Sequence, residues 1–262
     1  MTEQTRPHPH LRVDRDGAVL TVSLSNPGRR NAKTPSLWLA LAEIADTLDQ
    51  EVRVVVLRAD GPAFSAGLDL AMLTPEGVDG EISMLGQAAR GAQEMADVIA
   101  PFQRGFSAWS DVDAVVVAAV QGHAIGAGFQ LALAADLRVV ADDVQLAMRE
   151  TSLGLVPDLG GTAPLVHLVG YSKALEICAT GRAIGAAEAV ASGLASVAVP
   201  RDELEATTAD LVAALLAAPA PALRELKPLL RRAVTAGRDE QLQHEREAQG
   251  RLMHALVTSR GH

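Results

Sequence analysis

An α/β fold with a helical tail is what this sequence predicts, on three observations. Short apolar, β-branched runs (RVVVLRA, AVVVAAV, LRVV) recur between segments of helical periodicity. The runs break into Gly- or Pro-containing turns, as buried strands do. After Pro200 the strand signals stop, and Ala/Leu-rich helical patterning continues almost to the end. At 262 residues and 48% hydrophobic, the chain has ample core for one large domain. The division expected is an α/β core over residues 1–200 and a helical region over 201–262.

In chain order, the start MTEQTRPHPHLRVDRDG is polar and lacks the apolar stretch of a signal peptide. His8 and His10 hint at metal, but their proline neighbours favour a frayed terminus. Residues 18–25 (AVLTVSLS) alternate as a strand does. NPGRRNAKTP then forms a loop in which Thr34 and Pro35 suit the N-cap and first position of a helix. Leu37, Leu41, Ile44 and Leu48 carry that helix to about Gln50. A strand over 53–59 runs into the turn Asp60-Gly61-Pro62. In FSAGLDLAML, residues 64–73, Gly67 permits a special backbone angle. Residues 74–90 hold three glycines and weak periodicity, which predicts a mobile loop or loosely held helix, a candidate lid. A helix over 92–109 precedes the buried strand 114–121.

That strand breaks at Gly122, and Gly126-Ala127-Gly128 launches an apolar helix from about Phe129 to Ala135. Glycines at a helix N-terminus make a place for developing negative charge. A strand at 137–140 and a third apolar piece at 144–148 lead to Glu150, with Asp158 close behind. Helices over 162–169, 172–180 and 186–192, a strand over 195–199, and helices over 202–217, 221–235 and 239–258 complete the chain.

The formal charge of -9 argues against a nucleic-acid surface. No 18-residue apolar window lacks both charges and helix breakers, so no membrane partner is expected. The single cysteine, Cys178, excludes an intramolecular disulfide framework and fits a reducing cytoplasm. No metal cluster is expected.

Four segments in order, NPGRRNA, FSAGLD, AVVVAAVQGHAIGAGFQLALAADLRV and GLVPDLGGTAPLVHLVG, resemble the crotonase superfamily, or enoyl-CoA hydratase/isomerase family. The resemblance spans roughly residues 10 to 258. It implies a crotonase-like spiral of ββα units with a C-terminal helical trimerisation region, assembled as a homotrimer or dimer of trimers. It also implies an acyl-CoA thioester substrate, with coenzyme A as part of that substrate and no other cofactor.

By position in the motifs, the resemblance assigns an oxyanion hole to the backbone N–H groups of Leu68 and Ala127. Ala66, Gly67, Asp69 and Gly126 would lie around it. Arg29, Arg30, Asn31, Ala32 and Lys227 would contact the CoA moiety. A family lysine after the aspartate of FSAGLD is replaced here by Leu70 and Ala71, which removes one phosphate contact. Family hydratases use two glutamates, and the matching positions are Gln130 and Glu150. An amide cannot exchange a proton near neutral pH, so two-carboxylate hydration is impaired.

Double-bond isomerisation needs one base, matching Glu150. Dienoyl-CoA isomerases carry a further aspartate eight residues on, matching Asp158. Isomerisation is therefore favoured over hydration, with a catalytically silent acyl-CoA binder as a further alternative. Structural readings stay open: Asp158 as the N-cap of the next helix, Glu150 as a surface carboxylate, Gln130 as a half-buried residue of no consequence. A dinucleotide module is disfavoured, because the glycines run G-x-x-x-G-x-G rather than G-x-G-x-x-G. Family members continue into a further segment that closes over the site. The ending at residues 258–262 therefore leaves closure to the 74–90 lid, or the pocket more open.

Overall fold

The computed structural model describes residues 3–259. Its first strands, β1 (Glu3–His8), β2 (Leu11–Asp16) and β3 (Val19–Leu24), form an antiparallel meander. The expected frayed start is thus corrected: β1 pairs with β2, and Leu11 and Val13 bury one face of β2. Pro7 misled the reading, because an edge strand tolerates proline where a central one does not.

After α1 (Pro35–Asp46) comes β4 (Val54–Ala59), then α2 (Met84–Ala88) and α3 (Ala92–Asp111). β5 (Val115–Val120), β6 (His123–Ile125) and α4 (Ala127–Ala134) form the centre. β7 (Leu137–Ala141), β8 (Gln145–Ala147), α5 (Thr162–Val169), α6 (Tyr171–Thr180), α7 (Ala186–Ala191) and β9 (Val197–Val199) complete the α/β part. The main sheet runs β1-β2-β3-β4-β5-β7-β9 and is parallel from β3 onward. All six residues of β5 are buried, as a near-continuous apolar run requires in a sheet covered on both faces.

The spiral shows in the short pairings. Ser65 bridges Ala124, Lys33 bridges Leu68, and β6 pairs in parallel with β8. The β4, β5 and β7 windings each give one long strand to the outer sheet and a short extended piece to an inner layer. A helix follows each piece. β6, like β1 and β2, is not among the strands the sequence predicts; three residues between two glycine turns carry no periodicity. The inner face packs Leu41, Phe106, Trp109 and Phe129 into the larger core. The outer face, with Val56, Val117 and Val139, lies under Leu204 and Val212 of α8 (Leu204–Ala217).

The chain then bends by 105° into α9 (Ala220–Ala233), on which α10 (Arg238–Ser259) folds back. Lys227, expected at a CoA phosphate, has a different task. Its buried ammonium donates to Ala114 O and pairs with Asp136, both at 2.8 Å. It thereby fastens α9 to the start of β5. Among the described residues no single helix is long and apolar enough to cross a membrane. The expectation about the chain end falls partly on residues 260–262, outside the described residues.

Candidate active site

Two loops from different windings meet edge to edge. Ser65 N donates to His123 O at 2.8 Å, and Ile125 N to Ser65 O at 3.0 Å. On the other side of the same segment, Lys33 N donates to Gly67 O at 2.8 Å and Asp69 N to Lys33 O at 2.9 Å. A parallel partner that bonds residues 67 and 69 leaves the N–H of residue 68 facing the opposite way. The Leu68 amide therefore points away from Lys33. Ala127 opens α4, so its N–H is one the helix cannot use. Neither amide has a protein partner among the described residues.

Gly67 makes the approach possible. Its φ is +94°, and a Cβ there would stand 2.6 Å from Ile125 O and 3.7 Å from Ala127 N. Only glycine lets the two strands close to this distance. The turn residue Gly126, φ +51°, does the same for the carboxylate, since a Cβ there would sit 3.1 Å from Glu150 Oε1.

Gln130 organises what stands behind the turn. It is 1% exposed, and its Oε1 accepts from Leu159 N at 2.9 Å and Gly161 N at 3.2 Å. With the oxygen so engaged, its Nε2 faces Glu150 and donates to Oε1 at 2.7 Å. The amide orientation follows from its partners, because an amide oxygen turned to a carboxylate would leave no proton between them. Gln130 is thus a wholly buried bridge, neither half-buried nor inconsequential.

Glu150 begins a 3-10 turn, Glu150–Leu153, and is half-buried. Its Oε2 is buried without a hydrogen-bond partner among the described residues. Burial pushes its carboxyl above the ordinary range, and the charge of Asp158 adds to this against the hydrogen bond from Gln130. Burial raises Asp158 as well. Asp158 does not cap α5: Gly161 holds that position, without a side-chain bond. Instead its backbone carbonyl accepts from Gln103 of α3 at 2.7 Å.

These groups line one cavity of about 700 Å³. It gathers Arg30, Ala66, Gly67, Leu68, Gly126, Ala127, Gln130, Glu150 and Asp158 from the expected set. Arg29, Ala32, Asp69 and Lys227 lie outside its lining. Arg29, 62% exposed in its side chain, pairs with Asp69 at 2.9 Å, and Asp69 also accepts from Ala71 N. Asn31 spends its side chain inside the loop, donating to Asp60 O and Ala63 O and accepting from Asn26 N.

The sequence reading missed the apolar wall of Trp38, Met84, Met95, Ile99 and Phe102, and the polar His123 and Arg149. Helical periodicity marks such side chains as core; only the packing shows which of them face an opening. It also missed Lys33, whose ammonium is wholly buried without a hydrogen-bond partner, 5.8 Å from the Phe64 ring centroid. Burial pulls its pKa down to about 7.

Residues 14–261 match the family model described as enoyl-CoA hydratase/isomerase. The protein of Mycobacterium tuberculosis named "Probable enoyl-CoA hydratase echA8" is 30% identical over 257 residues, covering 94% of this chain and 89% of that one. A carnitinyl-CoA dehydratase of Salmonella enteritidis is 33% identical over 224 residues, covering 84% of this chain and 80% of that protein. A candidate enoyl-CoA hydratase of Thermobifida fusca YX, solved in complex with CoA, superposes with a TM-score of 0.89 at 47% identity and 95% coverage of both chains. The same protein with acetoacetyl-CoA gives 0.88 at 48% identity, over 94% of this chain and 95% of that one. Fold, motifs and relatives agree: this chain is an enzyme of the enoyl-CoA hydratase/isomerase family, with the crotonase fold.

Proposed function

We propose that the chain isomerises the double bond of an enoyl- or dienoyl-CoA, with Glu150 as the proton carrier. The observation that carries this reading is the Gln130–Glu150 pair: one carboxylate with one oxygen held and the other free, where a hydratase would have two acids. The thioester oxygen would sit between the N–H groups of Leu68 and Ala127, each such donor lowering the barrier by about 3 to 4 kcal/mol. Glu150 Oε2 removes a proton from C2 of a 3-enoyl-CoA, and the electron pair delocalises onto the thioester oxygen. Return of that proton to C4 leaves the 2-enoyl product, with no net gain or loss of atoms. For a 3,5-dienoyl-CoA the return is to C6, and Asp158 is the second acid within the same cavity.

Burial supports the base role, because a raised pKa strengthens Glu150 as an acceptor while it stays ionised above that pKa. The CoA moiety would pass Arg30, at the cavity edge; Ala66, Gly67 and Gly126 would border the thioester. No cofactor beyond substrate CoA is invoked. Exposed Leu226, Leu230, Leu256 and Val257 on α9 and α10 support a homotrimer or dimer of trimers, and the single cysteine supports a cytoplasmic home.

Hydration is the second reading, favoured by the relatives named hydratase and dehydratase. Incubation with 3-enoyl-, 3,5-dienoyl- and 2-enoyl-CoA separates them. Isomerisation predicts conversion of the first or second with little water addition to the third. Rapid hydration of the 2-enoyl-CoA, unaffected by Asp158→Ala, would sink the isomerase reading. Tight binding of all three without turnover would favour the silent binder.

A further inference from the structure

The loop ahead of α2 carries an acid that reaches back 45 positions to the first turn of α1. Glu81 Oε2 accepts from Ser36 N at 3.0 Å, and its Oε1 accepts from Ser36 Oγ. Ser36 is the second residue of α1, so its N–H is unused by the helix, and a carboxylate at a helix N-terminus is favoured. The serine proton points to Glu81, which leaves its oxygen to accept from His8 Nε2 at 3.1 Å. His8 Nδ1 in turn accepts from His10 N at 3.1 Å, which fixes the neutral ring with its proton on Nε2. The result is a directed chain from β1 through α1 to the loop.

This is the external hydrogen-bond anchor among the described residues of the loop, beside the packing of Val78 on the core. The other hydrogen bonds described for residues 74–83 join positions no more than four apart. Three residues beyond Glu81, α2 begins and presents Met84, Leu85 and Ala88 to the cavity. They stand there with Met95 and Ile99 of α3, which packs against α2.

We propose that Glu81 is a positioning residue for acyl selectivity: held by Ser36, which His8 supports in turn, its carboxylate latches the 74–90 segment and sets how far the Met84–Ala88 wall stands from Glu150. This inference rests on reading the cavity as an acyl-CoA site. With the latch closed, the wall contacts short acyl groups; released, it moves out, losing those contacts and admitting longer chains.

The test measures binding of two unreactive saturated thioesters, butyryl-CoA and decanoyl-CoA, to the full-length protein and to Glu81→Ala, Ser36→Ala, their combination and Glu81→Gln. Turnover is followed in parallel. The latch predicts that Glu81→Ala shifts the decanoyl-to-butyryl affinity ratio upward by about tenfold. The change falls on KM, while kcat stays within about twofold. Ser36→Ala removes only the hydroxyl bond and keeps the backbone N–H donor, so it should give a smaller shift in the same direction, and the double variant no more than Glu81→Ala alone. Glu81→Gln, which still accepts from Ser36 N, should recover part of the ratio. An equal weakening of both thioesters, or an unchanged ratio, overturns the latch while leaving the acyl-CoA reading intact. Failure of the wild-type protein to bind either thioester overturns both.

Discussion

The cavity has two walls built on different principles. On one side, the segments 64–69, 121–127 and 145–147 are sewn together by backbone: Phe64 N to Gln121 O, Ser65 N to His123 O, Gly126 N to Ala147 O. On the other, residues 74–83 hold themselves by local turns, by Val78 against the core and by the Glu81 carboxylate, and much of their surface is exposed. Backbone bonds in the first wall survive almost any side-chain change, whereas one substitution removes the hydrogen bonds that tie the second to α1. The difference teaches where each property of the protein resides. Chemistry needs donors fixed to a fraction of an ångström and belongs to the first wall. Choice of acyl group tolerates movement and belongs to the second.

Breaking the first wall at its reactive group should have the largest effect. Glu150→Gln keeps the shape and removes the proton carrier, so kcat should fall by about 10³-fold or more with thioester binding retained. Steady-state rates beside calorimetric affinities check this; a loss under tenfold would remove Glu150 from the chemistry. The wild-type pH profile carries the same signature. The Glu150 pKa is raised, and the base form is lost as pH falls through it, so the acid limb should lie above the ordinary carboxylate range.

Gly67→Ala comes next, because its Cβ would strike Ile125 O and push Leu68 from its partner strand. Losing one oxyanion donor predicts about a 10²- to 10³-fold drop in kcat. Intact sheet circular dichroism would show that the wall, and not the fold, was broken.

The two walls were also unequally legible. The buried strand at 114–121 and both glycine turns stand out in the sequence because apolar runs and special backbone angles are local properties. Leu68 and Ala127 rest instead on the resemblance, which assigns them by their positions in the FSAGLD and Gly-Ala-Gly motifs. Gln130 was visible as an anomaly, but its orientation depends on Leu159 N and Gly161 N, some thirty residues away. The second wall was legible only as a weakly periodic stretch. Nothing local says that Glu81 meets Ser36, or that Met84 and Phe102 face an opening. Lys227 was misplaced for the same reason: a basic residue on a helix has no address until Asp136 and Ala114 O are brought to it.

Lys33 tests whether the first wall owes its strength to backbone alone. Its main chain clamps Gly67 and Asp69, while its ammonium lies buried without a hydrogen-bond partner among the described residues. The folded pKa of about 7 lies below the unfolded value. Between about pH 7 and 10.5 the unfolded chain therefore binds the extra proton, and the cost of Lys33 shrinks as pH rises through that window. Lys33→Met should stabilise the fold, on the order of 3 kcal/mol at pH 7, with the gain vanishing above about pH 10.5. Denaturant unfolding at pH 7 and at alkaline pH measures both; no gain at pH 7 would mean that the ammonium is paired in solution, and a gain independent of pH that it comes from apolar packing alone. Catalysis should be preserved, since the clamping N–H and C=O remain.

Gln130→Glu is the smallest and most discriminating change. The backbone amides of Leu159 and Gly161 would still find an oxygen, so the side chain should stay in place. Its other end, however, turns from a donor toward Glu150 Oε1 into a second carboxylate. Two carboxylates at hydrogen-bond distance cannot both ionise freely, so the pair should hold a proton to higher pH. The acid limb of kcat/KM should move up by about one unit, a tenfold rate loss on that limb. Under the isomerase reading the same substitution supplies the missing second acid, so water addition to a 2-enoyl-CoA should rise while double-bond migration falls. A parallel fall in both reactions would instead mean that the Gln130 amide is needed only to orient Glu150, and that the choice between the two chemistries is made elsewhere in the cavity.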